Sequence, residues 1–538
     1  MAGYRQPLSR GEILGAALAV LVIAAAAALF VTLLSGGPAT LLGDLLAEPY
    51  LRRVLAFTLV QAGLSALLSV GLAVPVARAL ARQSAFPGRR ALLRVCALPL
   101  VMPAIVAIFG IVAVYGRFGY LADIMGALGS GWRPSIYGLP GILLAHAFFN
   151  LPFAIRLLLP AWATVPPESW RLSAQLGMSS GQIFRLIEAP LLRQNLPAVF
   201  ALVFMLCFLS FAVVLTLGGG PRATTLEVAI YQAVRFDFDL PRAGAIALLQ
   251  IACCLALATG AWLCARRLDL GRSQRIESRR FDGQSGAARV LDFAAILLAT
   301  VFILAPLLAL AGDGMRGIFA AGSIHWPNIL RASLITVALG LAAGLLAVGL
   351  GYPMAVGADR LRRRARGAGP AALVRAAGFA GLVISPMALG AGIQLAARGR
   401  LDLFALAPVG VVVMNGFLAL PFVLGALAPA VARANDQHDR LCLGLGIRGW
   451  HRFFTVDGPA LRRPIAGALA LAATISMGDL AAISLFGNQD LTNLTLVLYG
   501  QLAAYRLDQA SVTAVILLAL CLAVFAAIER GVGGRGVA

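Results

Sequence analysis

The chain has 538 residues, 60% of them hydrophobic and 12% charged, with a mean hydropathy of +0.89 and a formal charge of +21. Soluble domains carry about 25% charged residues, so most of this chain is built to meet lipid. All 44 basic residues are arginine, which excludes both a P-loop, whose lysine reaches the phosphates, and Schiff-base chemistry; ATP hydrolysis would have to come from another polypeptide.

Hydrocarbon about 30 Å thick needs about 20 apolar residues per helix. The runs that meet this, in chain order, are 13–35, 55–77, 95–115, 137–163, 197–217, 243–265, 290–312, 332–357, 376–397, 403–432, 464–486 and 510–528. The first, after Arg5 and Arg10, exceeds the 7–15 residues of a signal-peptide core and reads as an uncleaved helix. With the N-terminus inside, 31 arginines fall on one side, 12 on the other, and Arg156 lies within a span. That is the positive-inside pattern, with both termini cytoplasmic. The basic excess therefore answers to topology and lipid headgroups, not to nucleic acid. The seven cysteines contain no C-x-x-C and the four histidines no metal-ligand spacing, so no metal is expected.

The fourth run carries His146, Asn150 and Arg156 in HAFFNLPFAIR. Polar groups in a span face the bundle interior, as interhelical glue or as lining of a pathway.

After it comes the polar stretch 168–197, ESWRLSAQLGMSSGQIFRLIEAPLLRQNLP. Pro166-Pro167-Glu168 is helix-start chemistry, and Leu172, Leu176, Ile183, Phe184 and Ile187 continue at helical spacing around Gly177. Two short amphipathic helices are expected at an angle, with a turn exposed at Gly177 that is nonetheless tight and packed against an added side chain, and with Pro190 and Pro197 redirecting the chain. Such a knuckle suits either a partner's groove or the membrane surface.

Residues 218–242 suggest a short helix lying at the external interface, answered by 487–509. Between the halves, 266–289 holds seven arginines and three acids and reads as a solvated cytoplasmic linker.

At an offset of 269 residues, Arg171, Leu172, Leu176, Gly177, Phe184, Pro190, Leu192 and Arg193 recur as Arg440, Leu441, Leu445, Gly446, Phe453, Pro459, Leu461 and Arg462. Leu151-Pro152-Phe153 recurs as Leu420-Pro421-Phe422. The expectation is an all-α polytopic membrane protein of twelve transmembrane helices in two parallel six-helix repeats, related by an axis along the membrane normal. Its divisions are 1–54, a first membrane domain 55–265, a linker with the seventh helix 266–330, and a second membrane domain 331–530. Asp479 in the eleventh run is the one acid well inside a span. Such an acid either lines the pathway, caps a broken helix or pairs with Arg156. Ser210 holds its place in the first half.

Gly177, Ile187 ten residues on and Pro190 thirteen on resemble the cytoplasmic EAA loop of binding-protein-dependent ABC importer permeases; Gly446, Val456 and Pro459 repeat the spacing. The family's Glu-Ala-Ala reads Arg171-Leu172-Ser173 and Arg440-Leu441-Cys442 here. The stretches GILLAHAFFNLPFAIRLLL, QLGMSS, MLCFLSFAVVLTLGGGPRATTLEVAIYQA and SMGDLAAISLFGN are similar to the fused thiamine and thiamine-pyrophosphate permeases of Gram-negative bacteria. The resemblance implies a type I importer (MetI-like) fold in the bacterial inner membrane and a periplasmic thiamine-binding protein. It further implies two copies of a separate ATPase subunit, which bind the ATP and magnesium, so that this chain holds no cofactor. Carried over by position, ATPase coupling falls to Arg171, Ala174, Gly177, Met178, Ser179, Pro190, Arg440, Gly446, Ile447, Arg448 and Pro459. Asp479, Ser210 and Asn150 are the candidates for the substrate pathway. Fused iron(III) permeases share the architecture. A twelve-helix secondary transporter would need more intramembrane carboxylates than Asp479, and a membrane enzyme would need an acid/base or metal constellation.

Overall fold

The structure is a computed structural model that describes residues 10–35, 43, 47–84, 86–96, 98–265, 280–282, 286–319, 325–364, 368–398, 402–447 and 449–533. The principal helices of the first half are α1 (Arg10–Ser35), α2 (Pro49–Arg82), α3 (Ala104–Tyr115), α4 (Leu139–Trp162), α5 (Pro167–Gln175), α6 (Ala189–Phe208), α7 (Ala212–Leu217), α8 (Leu226–Arg235) and α9 (Leu240–Ala265). Those of the second are α10 (Gly286–Phe319), α11 (Trp326–Arg362), α12 (Pro386–Ala397), α13 (Leu403–Gly444), α14 (Gly458–Met477), α15 (Ala481–Phe486), α16 (Leu494–Ala503) and α17 (Leu507–Gly533).

Among the described residues, ten helices are long and apolar enough to cross a membrane. Two of the twelve expected runs, 376–397 and 464–486, are not among them and are composite. Residues 376–397 divide between a helix at Ala368–Gly378, a short 3-10 turn and α12. Residues 464–486 divide between α14 and α15, and 197–217 breaks at the matching place between α6 and α7. The offset of 269 is kept from α6–α7 to α14–α15, whose limits correspond residue for residue, and slips to 268 between α8 and α16.

The first helix of each half packs on the opposite half. α1 lies along α11 and α12, while α10 lies along α2 and α3 as well as along α17 of its own half. Both crossings are close because a side chain is missing. A Cβ on Gly15 would sit 2.5 Å from the Pro353 carbonyl oxygen, and one on Gly110 2.4 Å from that of Pro306. Small residues let membrane helices approach to backbone contact, where dispersion does the work that hydrophobicity cannot do in lipid.

The helix α8 does not lie at the interface as the sequence suggests, whereas α16 is buried only in part, at Leu494, Thr495 and Leu498. In α8, Leu226, Glu227, Val228, Ala229, Ile230, Tyr231, Ala233 and Val234 are buried, against α9 and α12. A buried helix start needs a partner for its free N–H groups, and both halves solve this alike. Thr58 Oγ1 of α2 accepts from Leu226 N at 3.1 Å, and Thr336 Oγ1 of α11 from Leu494 N at 2.9 Å. Once these groups are satisfied, the apolar character of the segment favours the interior.

Candidate functional site: paired knuckles below two broken helices

The polar stretch at 168–197 folds as follows. α5 ends in the left-handed conformation at Gly177 (φ +60°), where Gly177 N donates to Ala174 O and Met178 N to Ser173 O. Ser179 then caps the next turn in a capping box: its Oγ accepts from Gln182 N at 3.3 Å, and Gln182 Oε1 accepts from Ser179 N at 2.7 Å. A π turn at Phe184–Glu188 follows, then α6 with Pro190 in its first turn. The π turn has a local cause. Pro190 lacks an N–H and its ring crowds the carbonyl four residues back, and a wider turn, with Ala189 N bonded to Phe184 O, accommodates both.

The second knuckle repeats this at 269 residues: Gly446 at φ +66°, a π turn at Phe453–Asp457, and Pro459 opening α14. The two differ upstream. Where Pro166 and Pro167 end one helix and start another, Asn435 and Asp436 let α13 run unbroken to Gly444. The expected pair of short helices is therefore found in the first knuckle only.

A Cβ added at Gly177 or Gly446 meets nothing within 4 Å. The turn is exposed, as expected, but not packed: glycine is required there by the backbone angle, and the tip is open. Around it, Arg171, Ala174, Ser179, Pro190, Arg440 and Pro459 are exposed, and Met178 and Ile447 half-buried. Arg448 lies outside the described residues. Leu172 and Leu176 are 56% and 67% exposed, and their counterparts Leu441 and Leu445 61% and 65%. Four bare leucines on polar surface, at matched positions, are what a partner's groove would cover.

Behind each tip is a buried charge network that sequence reasoning missed. In the first, Glu188 is fully buried. Arg78 Nε donates to its Oε2 at 2.6 Å, Trp162 Nε1 to its Oε1 at 2.9 Å, and Arg280 Nη1 lies 2.8 Å from Oε1. Arg280 also pairs with Asp282 at 2.8 Å and stacks 4.1 Å over Trp170 of α5. Asp282 passes the chain of charges to Arg82 (3.1 Å), which reaches Asp292 of α10 (3.3 Å) and Ser180. Burial alone raises the Asp282 carboxyl, but the hydrogen bond and charge of Arg280, with Arg82 and Arg78 behind it, hold it below the ordinary carboxylate range.

In the second network Asp457 takes the place of Glu188. Its cation, Arg452, comes from the knuckle itself, at 3.1 Å, and also donates to Asn435 Oδ1 at 2.7 Å; Asn435 Nδ2 donates to Asp359 of α11 at 2.8 Å. The signal for these residues was in the repeat: the acid at 188 returns as an acid at 457. The cations left no such trace, because they come from different places in the two halves.

The solvated linker also needs correction. Most of 266–289 lies outside the described residues, but the Arg280 and Asp282 side chains are 3% and 1% exposed.

Above the knuckles, both halves brace the helix break with an asparagine. Asn150 Nδ2 of α4 donates to Cys207 Sγ at 3.3 Å, and Asn415 Nδ2 of α13 to Ser476 Oγ at 2.9 Å. Cys207 and Ser476 correspond at 269, whereas Asn415 sits five residues before the Leu-Pro-Phe motif and Asn150 one before it. That one-turn shift keeps the same helix face. His146 likewise bonds Ser65 of α2 at 2.8 Å.

Ser210 and Asp479 occupy the two breaks. Asp479 Oδ2 accepts from Ala482 N at 2.7 Å, capping α15. It makes no ion pair among the described residues, and Arg156 is exposed on α4, so the alternative pairing of the two is not found. Gly478 beside it packs against Pro103 of the other half, which places the Asp479 break at the seam between halves. On the face opposite the knuckles, a cavity of about 1040 Å3 opens between the halves, lined by aromatic rings that include Phe109, Tyr120, Tyr137, Tyr499 and Tyr505, by the acids Asp123, Asp313 and Asp508 and by Arg117, Arg133 and Arg316.

Comparison with known proteins agrees with this architecture. Residues 73–268 match the family described as binding-protein-dependent transport system inner membrane component. The thiamine transport system permease protein ThiP of Escherichia coli K12 is 42% identical over 538 residues, covering 100% of this chain and 99% of that one. ThiP of Brucella abortus 2308 is 41% identical over 97% of this chain and 95% of its own length, and that of Haemophilus influenzae Rd 37% over 90% and 89%. With two equivalent knuckles, two equivalent helix breaks and this likeness along the full chain, the protein belongs to the family of thiamine transport system permeases, inner-membrane components of binding-protein-dependent transport.

Proposed function

We propose that this chain is the membrane-spanning subunit of an ATP-driven importer that moves thiamine and its phosphates from a periplasmic binding protein into the cytoplasm. The observation that carries the docking half of this reading is the pair of knuckles with matched bare leucines, Leu172 and Leu176 on one and Leu441 and Leu445 on the other. Each receives one copy of a separate ATPase subunit, which binds ATP and magnesium. The substrate half rests on the likeness to thiamine permeases.

Both knuckles, both termini and the linker face the cytoplasm, and the aromatic cavity between the halves faces the binding protein. Tyrosine and phenylalanine faces attract cations by their quadrupoles, which suits a ring carrying a fixed positive charge. From there the route runs along the seam past Asp479.

Reconstitution in liposomes with the ATPase subunit and the binding protein tests the whole. Labelled thiamine should accumulate only when the binding protein is on one face and ATP on the other. Uptake driven by an ion gradient without the ATPase subunit would refute the reading.

A further inference from the structure

The two knuckles hold an acid at the same place, Glu188 and Asp457, yet the first lacks a counterpart of the second's Arg452. The position of Arg452 in the first knuckle is Ile183. Glu188 is neutralised from outside: by Arg78 of α2, and by Arg280, which belongs to the segment joining the two halves. The Arg280 guanidinium covers the Trp170 ring of α5 at 4.1 Å while its two ends reach Glu188 and Asp282. A planar fork that stacks and pairs at once is the geometry arginine supplies and lysine does not. Through Asp282 and Arg82 the contact continues to Asp292 at the start of α10. All four of Arg280, Asp282, Glu188 and Trp170 are buried at the side chain. A surface linker has no physical reason to bury an arginine between two acids and an indole, unless that arginine completes the structure it enters.

We propose that Arg280 is a positioning residue that pins the first docking knuckle from the inter-half segment, so that the two identical ATPase subunits meet two differently built sites, one held by the linker and one held by its own Arg452. The proposal rests on the reading that the knuckles receive ATPase subunits. The pin works through Trp170 and Glu188: it fixes α5 against the π turn and hence the height and angle of the leucine-bearing tip. The second knuckle supplies its own cation: Arg452 meets Asp457 and Asn435 within α13 and the turn that follows it, and Asn435 then ties the network to Asp359 of α11.

The test uses the full permease in nanodiscs with purified ATPase subunit. Single cysteines replace Leu176 or Leu445, one per knuckle, in an otherwise cysteine-free chain, and cross-linking to the ATPase subunit is titrated at each. Arg280→Ala should raise the half-saturating ATPase concentration at position 176 at least tenfold and leave position 445 unchanged. Arg280→Lys should fall between the wild type and Arg280→Ala. Arg452→Ala should give the reverse pattern.

If Arg280→Ala leaves both positions at wild-type values, the pin does not exist although docking stands. If the wild type cross-links at neither knuckle, the docking reading fails and takes the proposal with it. Should Arg280→Ala not accumulate as folded protein, Arg280→Lys and Asp282→Asn supply the second measurement: each should raise the half-saturating concentration at position 176 and leave position 445 unchanged, and no change at 176 in either would overturn the pin.

Discussion

Glu188 and Asp457 stand 269 residues apart, each closing a π turn immediately before a proline-headed helix, and each is neutralised by an arginine from a different part of the chain. The repeat has preserved the acid and the turn while letting the source of the counter-charge diverge. The glycine turn, the π turn and the proline-headed helix are the same in both knuckles, and they are held from outside in the first and from inside in the second.

Removing the buried acid from the first network should be the costlier change. Glu188→Gln leaves Arg78 and Arg280 without their shared carboxylate, and breaking a buried pair costs roughly 3–5 kcal/mol. Asp457 is slightly exposed and Arg452 keeps Asp439 as a second acid, so Asp457→Asn should cost less. Thermal unfolding in detergent should rank them in that order, and Glu188→Gln with Arg78→Gln should be less than additive.

The bare leucines make a separate test of docking. Covering one leucine side chain is worth roughly 1.5–3 kcal/mol, so Leu176→Glu should weaken ATPase association about tenfold or more. Leu445→Glu should do the same at the other knuckle, and both variants should insert and melt like the wild type, since neither side chain packs in the core. An undiminished affinity in the double variant would count against the tips as the contact.

At Gly177 and Gly446 the constraint is the backbone angle alone. Gly177→Asn should be tolerated, because asparagine visits the left-handed region readily. Gly177→Val should cost about 1–2 kcal/mol locally and appear as reduced ATPase coupling with folded protein still present. The space around the tip means that bulk as such is not what the turn rejects.

Asp479 separates charge from shape. In Asp479→Asn the side-chain oxygen still accepts from Ala482 N, so the cap on α15 and the fold should survive. In Asp479→Ala the cap is lost, at about 1 kcal/mol. If the carboxylate's charge assists a cationic substrate along the seam, thiamine uptake falls in the Asn variant while basal ATPase activity is kept. Equal uptake in Asn and wild type would confine Asp479 to capping.

The pH dependence of the first knuckle follows from Asp282. Its carboxyl titrates lower folded than unfolded, so its contribution is fully present above the ordinary aspartate value of 3.8 and is lost as pH falls below that, through the folded value. Cross-linking at Leu176→Cys should therefore be flat from neutral pH through mild acid. Asp282→Asn should lower the signal at every pH in that range.

The membrane character, the two halves and the positions of both knuckles were legible in the sequence, since apolar length, arginine distribution and a fixed repeat are properties of the chain as written. Gly177 and Gly446, or Pro190 and Pro459, declare their roles through backbone geometry, which is local. The break at Asp479 was foreshadowed as one of three readings of an acid inside a span, but the break at Ser210 was not legible, because nothing in the hydropathy of 197–217 marks where a helix stops. Nor was the burial of α8, which depends on Thr58 lying in space beside Leu226, 168 residues later in the chain. The partnership of Glu188 with Arg280 is the strongest case. Coulomb attraction depends on distance and on how much water is excluded, and only the folded chain brings a linker arginine within 2.8 Å of that carboxylate and closes the site with an indole.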